Sequence, residues 1–443
     1  KLLDLDFDFV KEKHLSAAKE LRISPPAELL GELENVISGV KKIGDASAMA
    51  LDLVASFGER LSAELVARYL NKKTRAVAVD AREIVKTDGI FQNAAVDFKK
   101  TNSRIKSYLK KIRGIPIITG FIASTDRGQT TTLGRGGSDY SAAIFGAALN
   151  TKVIEIWTDA DGIMTADPRI VPAAFTLPQI SYEEAFEMAY FGAKVIHPAT
   201  MVPAIKKKIP ILIKNTFNAA HPCTFILQNP QKEDRIVKDI SAVDGVTLLD
   251  VGGTDLAGHP GTAERVFKAV AAKKVNVILI AQASSEHTIC FAVRKGDGER
   301  ALSALRSEFS TEITKGKMRI GKKDSQSIVA IVGENMRGVP GIAGRVFSTL
   351  GEHQINISAI AQGGSERNIS FVVPEKDKGK AIFEVHREFF EKDGKPAVFL
   401  MGIGTVGGEL LRQITKNKNQ KPDQFKICGV ADSKKMYFDK NGI

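Results

Sequence analysis

Over residues 1–72 apolar positions recur every three or four residues. The stretch PPAELLGELENVISGVKKIG is representative and reads as an amphipathic helix, so this whole region is predicted helical. The pattern then changes. Short continuous apolar runs at Ala76–Val79, Ile115–Thr119, Val153–Trp157 and Ile209–Ile213 read as buried strands, and helical stretches separate them. That alternation predicts an α/β domain built on a mostly parallel sheet. It ends near NPQKEDR, residues 229–235, a polar and turn-rich segment.

An internal repeat follows. GHPGTAERVFKAVAAKKVNVILIAQASSEHTICFAV begins at Gly258, and GVPGIAGRVFSTLGEHQINISAIAQGGSERNISFVV begins at Gly338, an ungapped offset of 80 residues. Pro260/Pro340, Val266/Val346, Phe267/Phe347, Asn276/Asn356, Gln282/Gln362, Glu286/Glu366 and Phe291/Phe371 match. Self-similarity at a fixed period marks duplicated supersecondary units. Each copy predicts a strand, a glycine turn, a helix, a strand, a tight turn, a strand and a helix.

A third segment opens at Pro396. PAVFLMGIGTVGGELLRQI reads as a strand, a Gly402-x-Gly404-x-x-Gly407 turn and a helix. GxGxxG alone is weak evidence, but here it has the strand before it and the helix after it that a dinucleotide fingerprint requires. A second strand ends in Asp432, 25 residues past Gly407, near the spacing of a ribose-binding acid.

Composition narrows the classes. The chain has 443 residues, enough for two or three domains, with 43% hydrophobic and 26% charged residues. No apolar run reaches membrane-spanning length, which predicts no membrane association. Cys223, Cys290 and Cys428 lie far apart, so no disulfide framework or metal spacing is expected, which fits a reducing cytosol. The first residue is Lys1 rather than methionine, so a missing N-terminus, and a plastid-targeting segment lost with it, stay open. The net charge is +12, but the lysines are spread along the chain. Lys206-Lys207-Lys208 closes a predicted helix, where cations suit the dipole. A small anionic partner fits better than nucleic acid.

Candidate chemistry lies in four motifs. SFGERLS places Glu59 after a glycine at a predicted helix start. LGRGGSDYSAA carries Arg135, Ser138 and Asp139, with Ser138 read as a helix N-cap. IWTDADGIMTADPR carries Thr158, Asp159, Asp161, Met164 and Arg169 in a loop after a strand. YFGAKVIHPAT carries Lys194. Each has a plain alternative: a first-turn helix acid, a dipole-compensating Asp139, turn-forming aspartates, a solvated lysine. Together they supply an arginine fit for a carboxylate, acids fit for an amine and cations fit for phosphates, and three of the four motifs sit at strand-to-helix junctions. That set suits a small amino acid beside a nucleotide.

These motifs resemble the aspartate kinases of the amino-acid kinase family. GRGGSDYSAA, IWTDADGI, TADPR, YFGAKVIHPAT, IAQGGSERNISFVV and GIGTVGG occur in the order found in the bifunctional members, where kinase, paired ACT modules and homoserine dehydrogenase follow one another. The resemblance implies an α/β fold: an amino-acid kinase sandwich over 1–235, two ACT-like ferredoxin-like modules over 236–325 and 326–394, and a truncated Rossmann start over 395–443. It implies phosphorylation of L-aspartate by ATP with Mg²⁺ to 4-phospho-L-aspartate. Arg135 and Ser138 would bind the substrate, Arg135 at its carboxylate, and Glu59 would take its ammonium. Asp139 would orient a catalytic lysine. Thr158, Asp159 and Met164 would line the nucleotide pocket, with Arg169 and Lys194 near the phosphates. Met164 stands where many members have tyrosine.

The modules would bind an amino-acid effector, threonine ahead of lysine. Its carboxylate would meet backbone N–H groups after Pro260 or Pro340, with Gln282, Gln362, Asn276 and Asn356 nearby, and the chain would assemble as a homo-oligomer through the modules. Gly402, Gly404, Gly407 and Asp432 would bind NAD(P), with the choice of cofactor open, and no metal ligands are assigned. The family opens with a strand and a KFGGTS loop that this sequence does not contain. As it stands the chain is therefore expected to turn over at neither end yet to bind its effector. An amino-acid sensor with a vestigial kinase, and a kinase for another amino acid, are the competing readings.

Overall fold

The computed structural model describes residues 6–44, 46–191, 197–231, 233, 235–253, 261–282, 288–391, 397–417 and 426–439. They group into two units, one of residues 1–164 and 175–234, the other of residues 165–174 and 235–443.

The helical expectation for the start of the first unit holds: α1 (Phe7–Glu20), α2 (Ala27–Ile43) and α3 (Ala48–Leu70) occupy it. Leu30, Leu33, Ile37 and Val40 of α2 pack on Val54, Phe57 and Leu61 of α3. Next come β1 (Ala76–Val79), α4 (Phe98–Leu109), β2 (Ile115–Ile118), β3 (Ile122–Ser124), β4 (Thr130–Thr132) and α5 (Gly137–Leu149). The unit is completed by β5 (Ile154–Thr158), β6 (Gln179–Ser181), α6 (Tyr182–Tyr190), α7 (Pro198–Lys207), β7 (Ile211–Asn215) and β8 (Thr224–Leu227). Lys206 and Lys207 do sit in the last turn of α7.

The four expected strands are present, but they are divided between two sheets, β1-β2 and β5-β7-β8-β6, and the larger is mixed rather than mostly parallel. β1 pairs with β2 and β5 with β7 in parallel, whereas β8 runs antiparallel to β7 and β3 and β4 form an antiparallel hairpin. Strands β3, β4 and β6 are three residues long, and the threonine-only β4 carries no apolar run to betray it. Ile105, Ile122 and Ile144 from α4, β3 and α5 are fully buried in one core.

The second unit carries the repeat. Its first copy is β9 (Asp239–Gly253), α8 (Thr262–Ala272), β10 (Val277–Gln282), β11 (Thr288–Arg294) and α9 (Gly298–Glu308), followed by the short α10 (Ser310–Thr314). Its second is β12 (Met318–Val332), α11 (Ile342–Glu352), β13 (Ala359–Gln362), β14 (Asn368–Pro374) and α12 (Lys378–His386). The predicted order of strands and helices is therefore observed in both copies, and the first copy's two turns, at 254–260 and 283–287, lie outside the described residues.

The copies share one six-stranded sheet of order β10-β11-β9-β12-β14-β13. The two 15-residue strands each serve both modules. Residues 246–252 of β9 pair with β11 and 248–253 with 318–323 of β12, while 239–243 of β9 pair with 328–332 of β12, next to β14. Each module thus takes its fourth strand from the other's long strand. The expected division at 325/326 falls inside β12, where the register shifts. Each long strand carries one bulge, so the two offsets cancel and alternation stays in phase across both modules.

One face packs on the helices, through Leu249, Val251, Phe291 and Val293 in the first module and Val329, Ile331, Phe371 and Val373 in the second. The other face carries Val246, Ala292, Ile328, Ala330 and Val372, all fully buried. The edge strands β10 and β13 return beside one another, so the sheet curls and this second face becomes an interior.

The segment 165–174 belongs to this unit. Ala166 bridges Ile240 in parallel, the Ile240 N–H donates to the Thr165 carbonyl, and Ala166 and Val171 enter the second module's core. After α12 come β15 (Ala397–Met401), α13 (Thr405–Asn417), β16 (Lys426–Ala431) and β17 (Met436–Phe438). β15 and β16 run parallel on either side of the helix in sequence, and β17 folds back antiparallel on β16.

Candidate active site

The centre of the first unit is the N-terminus of α5. The helix begins two residues earlier than the sequence suggests. Gly136, left-handed at φ 70°, ψ 19°, is the N-cap, and Ser138 sits inside the first turn, exposed. A left-handed cap leaves no side-chain acceptor over the first turn, so its N–H groups stay available to an anion. The position also requires glycine for space: a Cβ there would fall 2.8 Å from the His197 Cβ. His197 is the N-cap of α7, so two helix N-termini meet at this loop. Arg135, one residue before the cap, is exposed, and burial, assisted by the Arg135 charge, pulls the His197 imidazole below its usual range.

Glu59 is not at a helix start. It sits in the middle of α3, because Gly58 keeps helical geometry and the apolar pattern carries the helix through it. Glu59 nevertheless reaches the site. Its carboxylate accepts the Gly120 N–H, and Gly120 lies against Ser138: a Cβ on Gly120 would be 3.1 Å from the Ser138 Cα. Burial raises the Glu59 carboxyl above its ordinary range, and the Gly120 N–H offsets part of that. Asp139, in the first turn of α5, is likewise raised by burial. The loop that brings Gly120 is fixed by Phe121, whose N–H donates to the Ser141 hydroxyl of α5 at 2.9 Å. Arg135, Ser138, Asp139 and Glu59 thus surround one helix mouth, although they come from two helices and a loop.

A second group forms the loop after β5. The Thr158 hydroxyl donates to Asp159 at 3.1 Å, and Asp161 accepts from the side-chain amides of Asn215 (2.8 Å) and Asn218 (3.2 Å). The loop closes at Met164, which bridges Thr176. Arg169 lies beyond it in the 165–174 segment, exposed and paired with Asp167 at 2.6 Å. Lys194, Pro260 and Glu286 lie outside the described residues. Among the described residues no group of three or more His, Cys, Asp and Glu side chains has the arrangement of a metal site. Sequence reasoning missed Gly120, His197, Asn215 and Asn218. Only the asparagines carried a signal, as turn formers at and just past the end of a strand.

In the second unit Gln282 and Gln362 end the two edge strands, both exposed, and Asn276 and Asn356 precede those strands, also exposed. Gly341, left-handed, caps α11 after Pro340, and the Glu366 carboxylate accepts the Gly338 N–H at 2.7 Å. In the C-terminal segment Gly402 turns the chain out of β15, and a Cβ on Gly407 would lie 1.8 Å from the Gly402 carbonyl oxygen, so only glycine fits. Asp432 follows β16 and accepts the N–H groups of Lys434 and Lys435, both at 2.7 Å, which hold its carboxyl below the usual range.

The Amino acid kinase family model matches residues 9–215, and the ACT domain model matches residues 249–309 and 329–389. Aspartokinase 1 of Arabidopsis thaliana, a chloroplastic protein, is 32% identical over 394 residues, covering 87% of this chain and 69% of that protein. The chain belongs to the aspartokinase family. The bifunctional aspartokinase/homoserine dehydrogenase of Haemophilus influenzae is 37% identical over 97% of this chain and 53% of its own length, so the chain spans about half of that relative. Among solved structures, E. coli aspartokinase III in complex with aspartate and ADP superposes with a TM-score of 0.73 at 28% identity, covering 87% of this chain and 86% of that one. The same enzyme in complex with lysine and aspartate gives 0.68. The kinase fold with ACT domains is therefore the architecture of this aspartokinase chain, and the duplication found in the sequence is its ACT pair.

Proposed function

We propose that the first unit transfers the γ-phosphoryl group of ATP to the side-chain carboxylate of L-aspartate, giving 4-phospho-L-aspartate. The observation that carries this reading is the exposed Arg135 at a paired helix N-terminus, with the buried Glu59 reaching the same mouth through Gly120. Arg135 holds a substrate carboxylate, Ser138 supports it, and Glu59 holds the ammonium. The nucleophilic carboxylate is already ionised at pH 7, so no strong base is needed. The barrier is the approach of one anion to another, and it is lowered by positioning and by neutralising charge. Thr158, Asp159 and Met164 line the nucleotide side, Arg169 and Lys194 meet the phosphates, and Asp139 orients a lysine. Mg²⁺ entering with ATP supplies further neutralisation on the phosphates.

In the second unit the ACT pair binds an amino-acid effector, threonine on this reading, at Gln282, Gln362, Asn276 and Asn356, and it provides the homo-oligomer contact. The C-terminal strand, glycine turn and helix form the opening of an NAD(P)-binding fold. The fit rests on Gly407, whose missing Cβ lets the helix pack directly on the Gly402 carbonyl, the close approach that the third glycine of the fingerprint serves. Gly402, Gly404 and Gly407 would hold the pyrophosphate and Asp432 the ribose.

Trapping the acyl phosphate with hydroxylamine tests the kinase reading. The protein carrying the family's opening strand and KFGGTS loop ahead of Lys1, incubated with ATP, Mg²⁺ and L-aspartate, yields aspartyl hydroxamate, and L-glutamate in place of L-aspartate yields none. Hydroxamate formed equally from both would contradict the substrate assignment.

A further inference from the structure

Asp52 lies in α3, 2% exposed, on the face that also presents Glu59 two turns later. Its Oδ2 accepts the backbone N–H groups of Gln92 (2.8 Å) and Thr132 (3.0 Å), and its Oδ1 accepts the Thr132 hydroxyl (2.9 Å). The Thr132 carbonyl in turn accepts the Ala94 N–H at 3.0 Å. A loop of residues 88–95 is thereby stitched along the end of β4. Asn93, held between these two attachments, packs on the loop that leads to Arg135: a Cβ on Gly134 would lie 2.6 Å from the Asn93 Oδ1.

We propose that Asp52 is a positioning residue for substrate binding: through Gln92, Thr132 and Asn93 it clamps the Gly134-Arg135-Gly136 loop in the geometry that grips the aspartate carboxylate. This rests on the reading of Arg135 as the carboxylate ligand. A carboxylate this deeply buried is tolerated only when its lone pairs are filled, and here three donors from two separate segments fill them. Removing the acceptor orphans two backbone N–H groups at the point where loop and strand are joined. The guanidinium of Arg135 is exposed, so packing of its own backbone loop has to fix its position.

Calorimetric titration of L-aspartate and of ADP into four variants tests this. In Asp52→Ala and Asn93→Ala the Kd for aspartate rises on the order of tenfold while the Kd for ADP stays at the wild-type value. Asp52→Asn rescues: its remaining oxygen accepts both N–H groups, and its amide donates to a Thr132 hydroxyl that turns to accept. A purely structural role would instead lower Tm and weaken both ligands together. Asn93 is exposed, so Asn93→Ala decides the matter if Asp52→Ala does not fold. Unchanged aspartate affinity in Asn93→Ala, or parallel loss of aspartate and ADP binding, would overturn the proposal. Arg135→Ala is the control. If it binds aspartate like the wild type, or the wild type binds none, the substrate reading fails and this proposal falls with it.

Discussion

Glu59 shows how a single side chain is set by its surroundings. Burial raises its carboxyl, and the Gly120 N–H restrains the rise. To hold an ammonium group Glu59 must be ionised. Aspartate binding should therefore weaken as pH falls, starting above the range in which an ordinary glutamate protonates, because the raised carboxyl takes up its proton earlier. Titrations at descending pH check this. Glu59→Gln removes that pH dependence while lowering affinity throughout, and a pH profile identical in both proteins would contradict the role. Asp139 and His197 share the neighbourhood, and each favours its neutral form: burial lifts the acid, and burial with the charge of Arg135 lowers the imidazole.

At the scale of elements, the long strand β9 carries a cost within it. Asp239, at its first position, is fully buried, its Oδ2 has no hydrogen-bond partner among the described residues, and burial pushes its carboxyl up to about 7. The folded state therefore holds a proton that the unfolded chain releases near pH 4. The sign follows: this residue's destabilising effect is absent below about pH 4 and grows as pH rises to about 7. Asp239→Asn should raise Tm relative to wild type by a margin that widens across that window, measured by thermal unfolding in a pH series. A margin independent of pH would contradict it.

Elements also show what the sequence could reveal. The helices of residues 1–72 and the two repeat copies were legible because each has a dominant period and a buried stripe. The strand exchange between modules was not, since pairing partners leave no mark on a pattern that alternates identically in either arrangement. Glu59 was misplaced because a glycine in mid-helix resembles a helix boundary. Asp52 had a signal that went unread: Asp52, Ser56 and Glu59 fall at i, i+4 and i+7 in an apolar helix, the spacing of one buried polar face. Ser138 lies two positions past the cap because Gly136, which tolerates the left-handed conformation, takes that place.

For the whole molecule, the first unit and the ACT unit each have buried clusters of their own, and the segment 165–174 leaves the loop after β5 to pack with the ACT pair. Among the described residues no helix is long and apolar enough to cross a membrane. The central claim is that the α5 mouth of the kinase unit recognises aspartate through Arg135. Calorimetric titration of L-aspartate into the wild-type protein and Arg135→Ala, each followed by ADP, tests it most directly. The wild type should bind aspartate, and Arg135→Ala should bind it about 10- to 100-fold more weakly, as loss of a charge-assisted contact of about 1.5–3 kcal/mol requires, with ADP affinity unchanged. Equal aspartate affinities in the two proteins, or a loss confined to ADP, would contradict it.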